Sequence, residues 1–231
     1  MRFHDYEELI DSVNPDFIEF HLSYKDLHFN VNDNFTKKFD LDLVMHSPDT
    51  FEGDFLLDLS NENEDHRNRS IVELQRVIDI TRELKPFFNH AKRPLIVVSL
   101  GGFSTDGLIS ADQRQIRYNL MANSLKQLDT DGVEIIGQTL PPYPWYFGGQ
   151  LYLNLFVTPD DTVKFCQENN LRLCFDVSHS KLTCNELGLS FGDFVSKVAP
   201  FAAHLHIADA KGVDGEGLQI DDGEIRFLRK R

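Results

Sequence analysis

Leu171–His179 reads LRLCFDVSH and Ala203–Asp209 reads AHLHIAD. Each is a short apolar run that ends in polar side chains. Residues two apart on a strand share a face, so His204, His206 and Ala208 point one way while Leu205 and Ile207 point the other. Placing two imidazoles on one face is costly, because a buried imidazole needs partners. Asp-x-x-His (Asp176, His179) at one strand end and His-x-His-x-x-Asp (His204, His206, Asp209) at the next form a specific pair of patterns. Carboxylate and imidazole converging at neighbouring strand ends suit a hard or borderline divalent metal.

The same kind of run recurs upstream. Asp16–Ser23, Leu41–Ser47, Pro94–Leu100 and Gly132–Thr139 are rich in Val, Ile, Leu or Phe, as strands buried on both faces must be. Helical periods lie between them. Ser70–Lys85 carries an apolar stripe of Ile71, Leu74, Val77, Ile78 and Leu84, with Ser70 and Glu73 spaced as a capping box and Pro86 as its stop. Asp112–Leu128 reads as a second helix. A third starts at Thr158, with Pro159 suited to the first helical position, and Phe191–Val198 is a fourth. Alternation of strand and helix implies parallel strands with right-handed crossovers. No linker-like or low-complexity stretch interrupts residues 1–231, so a single domain is expected. An open doubly wound sheet usually carries a Gly-rich turn after its first strand. Here that strand runs into HLSYKDL, and Gly101-Gly102 after the third strand is a weak substitute. A parallel α/β barrel of the TIM type is the expected fold.

Composition narrows the function. The 231 residues include 37 acidic and 23 basic side chains, a net charge of −14. Such a chain repels phosphate backbones and anionic bilayers, so neither nucleic acid nor membrane is an expected partner. The basic cluster Arg226, Arg229, Lys230 and Arg231 reads as a solvated tail. No apolar run approaches the length of a membrane span, and MRFHDYEELIDS has no signal-peptide core, so a cytoplasmic location is expected. Cys166, Cys174 and Cys184 fit no zinc spacing and read as reduced thiols. A lone strand histidine such as His21 or His46 is more often a satisfied core residue than a ligand. Asp176 alone would serve to cap the helix that follows. His4, His28, His66 and His90 read as surface residues.

LRLCFDVSH and HLHIADAKGVDGEGLQIDDGEIRF resemble the sixth and seventh strands of the xylose-isomerase-like TIM barrel family, which spans sugar isomerases, epimerases and the endonuclease IV branch. DFIEFHLSYKDL and PPYPWYFGG resemble a sub-branch linked to sialic- and legionaminic-type sugar biosynthesis. The resemblance implies a divalent metal (Mn²⁺, Mg²⁺ or Zn²⁺) held by Asp176, His206 and Gln138, the last standing where the family has a glutamate. It implies His179 and Glu216 as catalytic groups on a small sugar substrate. His21, Lys25, His46, His179 and Asp209 would contact that substrate, and Trp145 with Tyr143 and Tyr146 would form a stacking wall. A glutamine keeps the shape of the glutamate and loses its base, since an amide cannot accept and return a proton near pH 7. A catalytically impaired relative that binds a sugar or a partner is the alternative this substitution raises.

The family's last glutamate has no counterpart before Arg231, and six strands are evident where a closed barrel has eight. Leu218–Phe227 or the first residues of the chain are candidates for a seventh. An open barrel leaves strand edges that invite a homodimer or a barrel-completing chain. The endonuclease IV branch fits less well. His46 before Ser47-Pro48 matches its early histidine, but Ser99-Leu100-Gly101 replaces a later one, and the net charge disfavours DNA.

Overall fold

The computed structural model describes residues 1–143 and 150–227. Trp145 and Tyr146, and Arg229 to Arg231 of the basic tail, lie outside the described residues. Six principal strands are present among the described residues: β1 (Phe17–His21), β2 (Asp42–His46), β3 (Leu95–Val98), β4 (Glu134–Gln138), β5 (Arg172–Asp176) and β6 (Ala202–His206). The first five lie inside the anticipated apolar runs, and β6 begins one residue earlier than its run. Helices α1 (Tyr6–Val13), α2 (Glu64–Leu84), α3 (Ala111–Leu125), α4 (Pro159–Asn169), α5 (Val177–Leu187) and α6 (Phe191–Val198) alternate with them. The pairs β1–β2, β2–β3 and β5–β6 are all parallel. This is a parallel α/β, TIM-barrel-like fold with six strands rather than eight among the described residues.

The chain forms two compact units. One comprises residues 1–59, 63–99 and 123–136, the other 60–62, 100–122 and 137–231. The first holds β1, β2, β3 and the start of β4, in that order; the second holds the end of β4, then β5 and β6. The core of the first unit is aromatic. Phe3 packs edge-on to Phe20 at 4.8 Å, Tyr6 stacks on Phe35 at 4.8 Å, and Phe39 stacks on Phe88 at 5.5 Å. Burying each such ring contributes roughly 2–3 kcal/mol. In the second unit Tyr118 and Phe165 pack at 4.9 Å, and Leu182, Ala210 and Ile225 form a smaller cluster under α5. Gly137 is required at its place, because a Cβ there would sit 2.7 Å from the Phe156 ring.

Three expectations are corrected. The long helix starts at Glu64, capped by the Asn63 side chain, rather than at Ser70. Glu64-Asp65-His66-Arg67 carries no apolar period, but its acidic first turn suits the helix dipole. Ser70 is buried inside the helix, where its hydroxyl accepts the Asp58 N–H at 3.0 Å, and Glu73 pairs with Arg76 at 2.8 Å instead of closing a capping box. The fifth strand stops at Asp176, because α5 begins at the next residue. Leu218–Phe227 supplies no seventh strand. Instead Gly215–Leu218 pairs antiparallel with Asp209–Lys211 in a hairpin, and the chain then turns back.

No described helix is long and apolar enough to cross a membrane. Cys166, Cys174 and Cys184 are all buried and unbridged, as expected for reduced thiols.

Candidate functional site

The strand ends of the second unit gather the residues singled out by sequence. Parallel register sets His206 beside Asp176. Asp176 is the last residue of β5 and the N-cap of α5, its Oδ1 accepting the His179 N–H at 2.9 Å. The capping role and the cluster role therefore coexist, one on each carboxylate oxygen. Oδ2 faces inward, 3.1 Å from Gln138 Nε2 and 3.4 Å from His206 Nδ1. Gln138 Nε2 also lies 3.1 Å from His206 Nδ1. Thr139 fastens the group from behind: its hydroxyl accepts the Asp176 N–H at 2.9 Å and the Ser180 hydroxyl at 3.1 Å.

His179 forms the second half of the site. Nδ1 lies 3.0 Å from the Thr139 carbonyl and Nε2 lies 2.9 Å from Glu216 Oε1. Both nitrogens face acceptors, which only the imidazolium satisfies. Burial alone lowers the His179 pKa, but the Asp176 charge and the bond to Glu216 outweigh it and push it up to about 8. Burial likewise raises the Asp176 carboxyl. The His179 charge and the hydrogen bonds from His206 and the His179 amide more than reverse this, holding it below the ordinary carboxylate range. The result is a buried carboxylate held ionised beside a charged imidazole whose Nε2 proton is polarised toward Glu216.

Asp209 does something other than meet a substrate. It is fully buried, and its two oxygens accept the N–H groups of Ala210, Asp221, Gly223 and Ile225 at 2.8, 3.1, 3.0 and 2.9 Å. All four lone-pair positions are taken, and the carboxylate ties the 221–225 loop to the hairpin.

The first unit gathers its own set. His21 and His46 are register partners on β1 and β2, with rings stacked at 4.5 Å and 14°. His21 Nε2 is 3.0 Å from Glu19 Oε1, and His46 Nδ1 is 2.9 Å from the Ser47 carbonyl. Lys25 lies on the short 3₁₀ helix Tyr24–His28. Glu19 went unnoticed in the sequence, although Glu-x-His on one strand face is a legible signal. Thr139 and Cys174 were also missed. Cys174 stands two residues before Asp176 on the same strand, and hence on the same face.

A divalent cation needs converging lone pairs, and the Gln138–Asp176–His206 set offers few. Gln138 donates an N–H to Asp176 Oδ2, and the same nitrogen stands beside His206 Nδ1. Turning its amide would set Oε1 against Asp176 Oδ2 at the same 3.1 Å, acceptor on acceptor. The amide thus supplies the positive pole that a cation would. As arranged, these residues do not fit the hard four-ligand metal that the resemblance implies.

A parallel α/β fold with a carboxylate and imidazoles gathered at its strand ends defines a TIM-barrel-like protein. Residues 6–229 match the family described as xylose isomerase-like TIM barrel, and the chain belongs to it. Among solved structures it is similar to an L-ribulose 3-epimerase (TM-score 0.58, 15% identity, 96% of this chain and 68% of that one). It is similar to D-psicose 3-epimerase from Clostridium cellulolyticum (0.57, 17%, 89% and 68%) and to endonuclease IV from Thermus thermophilus (0.52, 12%, 96% and 76%). At these identities the likeness establishes the fold alone. No curated protein sequence matches the chain.

Proposed function

We propose that this protein binds a small polyhydroxylated sugar at the His179–Glu216 face of the second unit, as a sugar isomerase- and epimerase-like protein without metal-dependent proton transfer. The observation that carries this is the Gln138 amide, hydrogen-bonded to Asp176 and His206 where two carboxylates and a cation would otherwise act. Epimerisation next to a carbonyl requires a base that takes a proton and an acid that returns it. Gln138 does neither. Glu216 remains suited to hydroxyl recognition as an acceptor, held in place by the His179 imidazolium, whose two N–H groups are taken by Thr139 and Glu216. The neighbours of known function, which include sugar epimerases, support the substrate class. The resemblance of DFIEFHLSYKDL to sialic- and legionaminic-type enzymes favours an amino sugar within it. The net charge of −14 argues against the nucleic acid on which an endonuclease acts.

Calorimetry with ketohexoses and N-acetylated amino sugars, paired with deuterium uptake from heavy water read by NMR, tests this. Binding without deuterium incorporation is the expected result, with affinity lost in Glu216→Gln. Incorporation that requires added Mn²⁺ would overturn the reading in favour of a working epimerase. A second reading, in which His179 and Glu216 are themselves an acid–base pair, is favoured by their 2.9 Å contact and the charged imidazole. It predicts incorporation without metal, abolished by Glu216→Gln.

A further inference from the structure

The lone pairs that do converge in the second unit lie one step below Asp176. Cys174, His204 and His206 each present one ligand atom, and these atoms lie within 4.8 Å of one another. Cys174 is fully buried on β5, while His204 and His206 are half-buried on β6. We propose that Cys174, His204 and His206 form a zinc-binding site, which shares His206 with the oxygen-rich centre that the family resemblance implies but differs from it in its other ligands, and which does not rest on the sugar reading.

Strand geometry explains the cluster. Alternation sets Cys174 and Asp176 on one face of β5, and His204 and His206 on one face of β6. A β-bulge sits at Ala203: register passes from Ala202 opposite Leu173 directly to His204 opposite Cys174. Without that extra residue Cys174 would face Ala203, so the bulge is what brings thiol and imidazole together. The two rings are 5.3 Å apart and almost perpendicular, at 84°. This orientation lets two nitrogens point at one centre.

The chemistry favours a borderline metal. Thiolate and imidazole select zinc over the hard cations that prefer oxygen. In a tetrahedral site with Zn–S near 2.3 Å and Zn–N near 2.1 Å, ligand atoms stand roughly 3.3–3.6 Å apart. Starting within 4.8 Å, the three side chains close that gap by small rotations about their χ angles. Cys174 gives up its S–H proton to solvent on binding, as a thiolate ligand must. Coordination of His206 through Nε2 would place its Nδ1–H against Asp176 Oδ2, now 3.4 Å away, the carboxylate–histidine–zinc arrangement that orients a ligating ring. Three protein ligands leave the fourth position to water. Cys166 and Cys184 provide the contrast. Burial pushes their thiols up to about 12 and about 11, and neither belongs to such a cluster.

Cobalt substitution of the 231-residue chain tests the site without relying on any variant. Metal-stripped, reduced protein titrated with Co²⁺ should develop a thiolate-to-cobalt charge-transfer band and intense four-coordinate d–d bands, saturating at one equivalent and displaced by Zn²⁺. Cys174→Ser should remove the charge-transfer band and Cys184→Ser should keep it. His204→Gln should weaken binding by about tenfold or more, and Asp176→Asn by roughly tenfold through loss of the orienting carboxylate. Absence of binding, binding without a thiolate band, or a band that survives Cys174→Ser would each overturn the proposal. Binding that is lost in Glu19→Gln but intact in Cys174→Ser would do so as well, and would place the metal in the first unit.

Discussion

Each unit carries a pair of histidines at the ends of its parallel strands, yet the two pairs are built differently. His21 and His46 lie face to face at 14° in the first unit, with partners at Glu19 and the Ser47 carbonyl. His204 and His206 stand perpendicular at 84° in the second, above a buried thiol and beside a network of Gln138, Asp176, Thr139, Ser180, His179 and Glu216. Both sets bring three ligand-type atoms within 4.8 Å of one another, Glu19 with His21 and His46 in the first and Cys174 with His204 and His206 in the second. The first set leaves His21 half-exposed beside a carboxylate, whereas the second is built around a buried thiol. Wiring distinguishes them too, because the chain of hydrogen bonds from Gln138 through Asp176 to His179 and Glu216 holds its members in one geometry.

Substitutions in the two units should therefore differ in cost. The largest effect is expected at Asp209→Ala, which strips four N–H groups, two of them fully buried, of their acceptor and should cost on the order of 3–5 kcal/mol by denaturant unfolding. A cost below about 1 kcal/mol would mean that the 221–225 loop is held by something else. Gln138→Leu keeps the volume but removes the amide donor from Asp176 and the polar contact with His206. It should cost about 2 kcal/mol in the same measurement.

His179 adds a pH dependence. Its folded pKa, about 8, lies above the ordinary 6.5, so its contribution is fully present below about 6.5 and is lost as pH rises through about 8. The stability gap between the natural protein and His179→Gln should narrow across that window, and a gap independent of pH would show that the ring is neutral. The smallest effect is expected at His21→Phe in the first unit, within about 1 kcal/mol, since a half-exposed stacked ring is replaced by another ring. A loss comparable to that at Gln138 would erase the contrast between the two units.

Much of the second unit was legible from spacing. Asp-x-x-His and His-x-His mark side chains that share faces of adjacent parallel strands, and Asp176, His179 and His206 do meet; Gln138 and Glu216, which only the family resemblance implied, join them. Asp209 was misjudged from the same pattern, because a carboxylate three residues past a strand histidine is equally suited to binding backbone amides. Ser70 misled in a similar way: its spacing to Glu73 fits a cap, but the acidic turn before it is helical.

The sequence by itself determined the strand–helix succession and the faces of each strand, since both follow from local periods of two and 3.6 residues. Only the tertiary structure decided which side chains became partners. The bulge at Ala203 shifts β6 by one residue and sets His204 opposite Cys174. The Gln138 amide turns its N–H groups to Asp176 because the opposite orientation would set oxygen against oxygen. Register and amide orientation are settled by hydrogen bonds between segments far apart in the chain, and no local period encodes them.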